Sequence, residues 1–202
     1  MTISELKAIR EDHPTGWRGI FDSYPIKTMV SDLPFLFSLL ITILGVIAFI
    51  VTEKSSYVLL IWFIDMVKSL FPNLLGFCLG GYAILIGFGN TDLLKSLTRK
   101  LRSINKSVFQ LLSAVFAFSL ILQSVSLIIS YVFSFFVQFN LFHAPEPICK
   151  YLNIFFFCVV SLPTFWAIFL LPVIALNVFT FGQLHHFKLT IEQKREDEEF
   201  YN

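Results

Sequence analysis

Four long apolar runs without charge dominate this sequence and constrain its fold more than any other feature. They cover residues 33–52, 70–89, 107–142 and roughly 151–184. Each is at least about 20 residues long, the length that an α-helix needs to cross a bilayer. Only 14% of the residues are charged, against about 25% in soluble domains, so a soluble fold would leave too much apolar surface exposed. The sequence therefore predicts an all-α integral membrane protein with four transmembrane helices.

The predicted organisation is an arm, a membrane domain and a tail. The cytoplasmic arm covers 1–32, the membrane domain 33–185 and the charged cytoplasmic tail 186–202. We expect the four transmembrane helices at 33–52, at 57–89 with a break near Pro72, at 107–142 and at 150–185.

Helices two to four are unusually long for a bilayer, and tilt alone does not absorb the excess. We expect the excess at the end of the bundle distant from the arm. There it either folds back into the membrane interface or is buried between copies of the chain. We favour a homo-oligomer, and we take a tetramer as the working stoichiometry.

Basic residues predict the orientation of the chain. Twelve of its fifteen lysines and arginines fall in the arm, in the loop at 90–106 and in the tail, and the other three, Lys54, Lys68 and Lys150, are assigned to the opposite side. Lysine and arginine accumulate on the cytoplasmic side of membrane proteins. Both termini are therefore predicted to be cytoplasmic.

Small residues form a stripe along the second predicted helix. Gly76, Gly80, Ala83 and Gly87 are spaced by four, three and four residues, which places them on one helical face. Small residues let helix backbones approach closely in lipid, where helices do not associate by excluding water. Static packing against a neighbouring helix is one interpretation. A sliding or bending helix that gates a pore is the other.

A second stripe, polar and uncharged, follows the third predicted helix. It consists of Ser119, Gln123, Ser126, Ser130, Ser134 and Gln138, and is called the polar stripe below. Such side chains either hydrogen-bond across a helix interface or line a wet path through the membrane. Both interpretations remain open from the sequence, and as a pore lining we single out Gln123, Ser126, Ser130, Ser134 and Gln138.

The loop at 90–106 carries five basic residues. They are Lys95, Arg99, Lys100, Arg102 and Lys106. One interpretation is contact with anionic lipid headgroups. The alternative is a docking surface for an anionic nucleotide or nucleic-acid regulator at the cytoplasmic face.

Catalytic and cofactor-binding patterns are missing from the sequence. We find no HExxH, GxSxG or phosphate-binding glycine loop, and the three cysteines fit no metal site. His185 and His186 are adjacent and point in different directions, so they make a poor metal pair. We therefore expect no enzyme, no cofactor and no metal.

The passage LGGYAILIGFGNTDLLKSL, a glycine-rich span that runs into a basic segment, resembles one group of small bacterial membrane proteins. These proteins are encoded beside nucleotide-modifying enzymes in anti-phage defence operons, and the Hailong-type member is a multimeric ion-channel effector. The resemblance implies a multi-pass protein of the bacterial inner membrane that depolarises this membrane under the control of an anionic product.

The resulting functional expectation is a homo-oligomeric, pore-forming ion channel in the lipid bilayer. The alternative is a non-conducting membrane scaffold or anchor for a partner protein. A small membrane enzyme subunit is the third class, and no residue pattern favours it.

The predicted orientation is testable with reporter fusions. A reporter fused after Asn202 and one inserted within 141–149 should give opposite signals, because three transmembrane crossings separate the arm from the second position and four separate it from the first. A C-terminal reporter that is active outside the cytoplasm would contradict the four-span orientation.

Overall fold

The computed structural model describes residues 14–52, 55–87, 106–138 and 146–201, and within these ranges the chain forms six α-helices. Two are short, and four are long and apolar enough to cross a membrane. The short helices are α1 (Gly16–Ser23) and α2 (Ile26–Ser31). The long helices are α3 (Leu33–Val51), α4 (Ser56–Gly87), α5 (Val108–Gln138) and α6 (Glu146–Tyr201). The all-helical class with four candidate spans is confirmed.

Helix lengths fall into two groups. α3 has 19 residues and is about 28 Å long, close to the thickness of a hydrocarbon core. α4, α5 and α6 have 32, 31 and 56 residues and exceed that thickness, as expected from the sequence.

α4 is one continuous helix with Pro72 inside it, so the expected break near that residue does not interrupt the helix. Proline lacks the N–H that would bond to the carbonyl oxygen of Lys68, four residues earlier. Transmembrane helices tolerate this loss because neighbouring groups satisfy the freed carbonyl or the helix adjusts locally. The segment before Pro72 is therefore part of the second long helix.

α6 continues past the expected end of the membrane domain at residue 185. It includes Pro163 and Pro172 and reaches Tyr201. Its 56 residues correspond to about 84 Å. The predicted tail therefore starts within this helix, and its charged side chains near Lys194 are exposed.

The core is rich in phenylalanine and is centred on α6. The ring of Phe157 lies against Phe49 of α3 and Phe63 of α4, at centroid distances of 4.4 and 5.2 Å. Phe133 of α5 packs on Phe156 at 4.8 Å. In lipid, such side-chain packing replaces the exclusion of water as the main source of helix association.

The arm is fastened to the bundle by a chain of aromatic contacts. The Tyr24 hydroxyl donates to the Asp32 carboxylate, and the Tyr24 ring packs edge-on against Phe118, 5.9 Å away. Phe118 in turn contacts Trp166 at 5.0 Å, and Trp166 contacts Phe35 at 4.8 Å. Burial and the bond to Asp32 raise the pKa of the Tyr24 phenol, so this side chain stays a donor.

These contacts place much of the length by which α5 exceeds α3 at the arm end, whereas the sequence predicted an excess at the opposite end. Trp166 of α6 lies between Phe35, in the first turn of α3, and Phe118, the eleventh residue of α5. The earlier turns of α5 are covered by α1, and an ion pair joins Lys106 to Asp22 there. At the opposite end, Asn153 Nδ2 donates to Ser56 Oγ at 3.1 Å, close to where α3 ends. The apolar periodicity of the long helices does not show that the arm packs beside the first turns of α5.

Gly45 tests the packing around Phe157. A Cβ atom at this position would lie 2.6 Å from Cζ of Phe157, and that ring is confined by Phe49 and Phe63. We expect Gly45→Leu to destabilise the chain by about 1–3 kcal/mol through overpacking, measured as a lower thermal unfolding temperature in detergent. Gly182→Leu is the matched control, because a Cβ atom there has no neighbour within 4 Å. Equal losses in both variants would contradict this account of the core.

Candidate functional site

The polar stripe of α5 faces α4 inside the chain. Gln123 is fully buried, and its Nε2 donates to Ser119 Oγ at 3.2 Å and to Cys78 Sγ of α4 at 3.5 Å. Farther along, Lys68 Nζ of α4 donates to Ser134 Oγ at 3.0 Å. The two helices run antiparallel, with the stripe between them over most of its length.

Burial within this stripe leaves some hydrogen-bonding capacity unused. Ser126 is fully buried and donates to the carbonyl oxygen of Leu122 at 2.9 Å. Ser130 is also fully buried. Among the described residues, Ser130 Oγ and Gln123 Oε1 have no hydrogen-bond partner. Gln138 is exposed at the end of the helix.

Of the five residues singled out as a pore lining, Gln123, Ser126 and Ser130 are enclosed within one chain. They line no open path there, and a path along them requires α4 and α5 to separate. Gln123 bonds to Cys78 of another helix, the alternative left open by the sequence, whereas Ser126 bonds within its own helix. Sequence reasoning missed Cys78 and Lys68 as partners, because periodicity within one helix does not identify the residues of another helix.

The glycine-containing face of α4 points away from the chain. Gly76, Gly80, Ala83 and Gly87 are all exposed, and a Cβ atom added at any of the three glycines would meet no atom within 4 Å. The helix that this face was expected to contact is therefore not among the described parts of the same chain.

Two polar residues extend this face toward the start of α4. Asp65 and Ser69 are exposed and continue the three-and-four spacing. Val58 and Trp62, also exposed, lie on the same side of the helix. The set of small and polar residues on this side, called the outer face of α4, is Asp65, Ser69, Gly76, Gly80, Ala83 and Gly87. At 100° per residue it occupies an arc of about 60°. The spacing is readable from the sequence, but the break expected near Pro72 divided it into two parts.

The exposed face of α3 provides a comparison within the same membrane domain. It consists of large aliphatic side chains, each about half exposed: Leu36, Leu40, Ile43, Leu44, Ile47 and Ile50. This composition is typical of a surface in contact with lipid tails. The outer face of α4 differs from it in both size and polarity.

Lys68 connects the polar stripe to the outer face of α4. Its Nζ lies 2.7 Å from Asp65 Oδ1 and 3.0 Å from Ser134 Oγ. The Asp65 side chain is 59% exposed, whereas that of Lys68 is 26% exposed. The ammonium group is thus drawn toward α5, and the carboxylate remains on the surface.

The predicted anion-binding cluster is described only at its end. Lys95, Arg99, Lys100 and Arg102 lie outside the described residues. Lys106 forms the ion pair with Asp22 of α1, so in this arrangement its ammonium serves to hold the arm against α5.

Comparison with protein-family models, curated proteins and solved structures returns no match. The roles assigned to these residues therefore follow from their geometry and chemistry.

Gln123 offers a test of how the polar stripe contributes to stability. We expect Gln123→Leu to change the free energy of unfolding by less than about 1 kcal/mol, because it removes both the donor group and an oxygen without a partner. Gln123→Ala should cost about 2 kcal/mol or more, since it leaves a cavity. The measurement is chemical unfolding in mixed micelles. A leucine variant less stable than the alanine variant would contradict this expectation and assign the stabilisation to the amide.

Proposed function

We propose that this chain is the subunit of a homo-oligomeric ion channel, in which the outer face of α4 meets further copies and borders the pore that they enclose. The observation that carries the proposal is the exposure of charged, hydroxylated and very small residues on one face of a helix that is apolar enough to span a membrane.

Lipid is an unfavourable neighbour for this face. An aspartate at the centre of a transmembrane helix costs about 2.5–3.5 kcal/mol on insertion scales. Glycine and alanine provide little surface for contact with lipid tails, but they allow another helix to approach closely. A neighbouring copy provides close helix contact for the small residues, and water along an axis solvates the carboxylate. The aliphatic face of α3, in contrast, is suited to lipid.

The biological setting in this proposal follows the resemblance of the sequence. The channel is a regulated, toxic effector that depolarises the bacterial inner membrane during phage defence, with both termini cytoplasmic. A tetramer is the proposed stoichiometry. An anionic nucleotide or nucleic acid acting at the loop at 90–106 is the proposed regulator.

A scaffold or anchor is the second candidate function, favoured by α6. This helix is about 84 Å long, almost three times the thickness of a hydrocarbon core. Its last turns are exposed and charged near Lys194 and Glu196. A rigid, charged extension of this kind is suited to docking a partner protein outside the bilayer.

Assembly and conduction can be measured together on purified protein. We expect a wild-type oligomer that carries current in planar bilayers under some triggering condition, and we expect Gly80→Leu to impair both, because its side chain projects from the outer face of α4. Gly81→Leu is the matched control, since this glycine lies off that face. Assembly is measured by mass in detergent, and overpacking should cost about 1–3 kcal/mol of association.

The outcomes separate the candidate functions. An oligomer that stays silent under all conditions supports the scaffold. Equal assembly of the two leucine variants removes the outer face of α4 from the interface. The pore lining is assigned to the polar stripe if a triple variant, Gln123→Leu with Ser126→Leu and Ser130→Leu, assembles but carries less current.

A further inference from the structure

Asp65 lies within the stretch of α4 that runs beside α3, the helix whose length matches a hydrocarbon core. α4 begins at Ser56, which is bonded to Asn153 at the end of the bundle where α3 terminates. Asp65 is nine residues farther along, or about 13 Å, which is close to half of a 30 Å hydrocarbon core.

A cavity shows which turns of α3 lie beside this part of α4. It has a volume of about 490 Å³ and opens between α3 and α4. Ile41 and Ala48 of α3 line it together with Leu59 and Met66 of α4. Residues 59–66 of α4 therefore run beside the middle and later turns of the 19-residue α3, and Asp65 lies within this stretch.

The geometry of the ion pair orients the carboxylate outward. On the side that faces α5, Lys68 Nζ donates to Ser134 Oγ, while the Asp65 side chain is 59% exposed. Enclosing both charges would carry a desolvation penalty that their attraction offsets only with very good geometry and further hydrogen bonds. Here the negative partner is presented at the surface and the positive partner is withdrawn.

We propose that Asp65 is the residue that sets ion selectivity, making the channel prefer hydrated monovalent cations over anions. The proposal rests on the homo-oligomeric pore described above. In such an oligomer each subunit contributes one carboxylate at the same depth, and rings of acidic side chains favour cations. Lys68 offsets part of this charge from its position behind the ring.

Reversal potentials in a KCl gradient test the assignment. Purified wild type should favour potassium over chloride. Asp65→Asn should lower the permeability ratio by about fivefold or more, the Boltzmann factor for one charge at 4 Å in water. Lys68→Met should raise the ratio, and Asp65→Glu should keep it near the wild-type value. Glu192→Gln is the matched control, because it removes a carboxylate from the exposed extension of α6.

Each result has a distinct meaning. A wild type without current overturns the proposed channel and this assignment with it. A conducting Asp65→Asn variant with the wild-type permeability ratio overturns the assignment alone and leaves the channel intact. If Asp65→Asn fails to assemble, the Glu and Met variants decide: an unchanged ratio in Lys68→Met, with an altered ratio in Asp65→Glu, also overturns it.

Discussion

Lipid tails offer no hydrogen bonds, and this constraint favours, for the polar side chains of the membrane domain, either a partner in the chain or a surface that lipid does not cover. α4 displays both outcomes on opposite sides. Cys78 on the inner side meets Gln123, which is fully buried. Asp65 and Ser69 on the outer side remain exposed. The same helix thus packs against α5 on its inner side and carries the surface proposed for assembly on its outer side.

Aromatic packing fixes the positions of the long helices relative to one another. Trp166 of α6 contacts Phe35 of α3 and Phe118 of α5, and Phe118 also supports Tyr24 of the arm. Aromatic pairs prefer edge-on or offset geometries, so they constrain the relative position of helices more closely than flexible aliphatic contacts do. The arm is thereby placed beside the first turns of α5, where it covers surface that would otherwise face lipid or water.

The number, type and approximate bounds of the long helices could be predicted from the sequence, because apolar runs without charge have few alternatives. The shared faces of Gly76 and Gly80, and of Gln123 and Ser126, also followed from spacing. Which face turns inward did not, since periodicity relates residues within one helix and is silent about its neighbours. The contact between Tyr24 and Phe118 joins residues far apart in sequence, and no local pattern encodes it. The break predicted near Pro72 does not interrupt α4, because the missing N–H of a proline is tolerated inside a membrane helix.

Pro72 also separates the charged half of α4 from its glycine-rich half, which makes this turn the point where the helix bends at least cost. Because Pro72 has no N–H to donate to the carbonyl oxygen of Lys68, the helix lacks one backbone hydrogen bond there. A bend of about 10° would displace Asp65, about 10 Å away along the axis, by about 2 Å. That distance is comparable with the difference between a direct hydrogen bond and a water-mediated contact. A small change in helix angle at Pro72 would therefore alter the hydration of the Asp65 carboxylate without moving the glycine-rich half of α4.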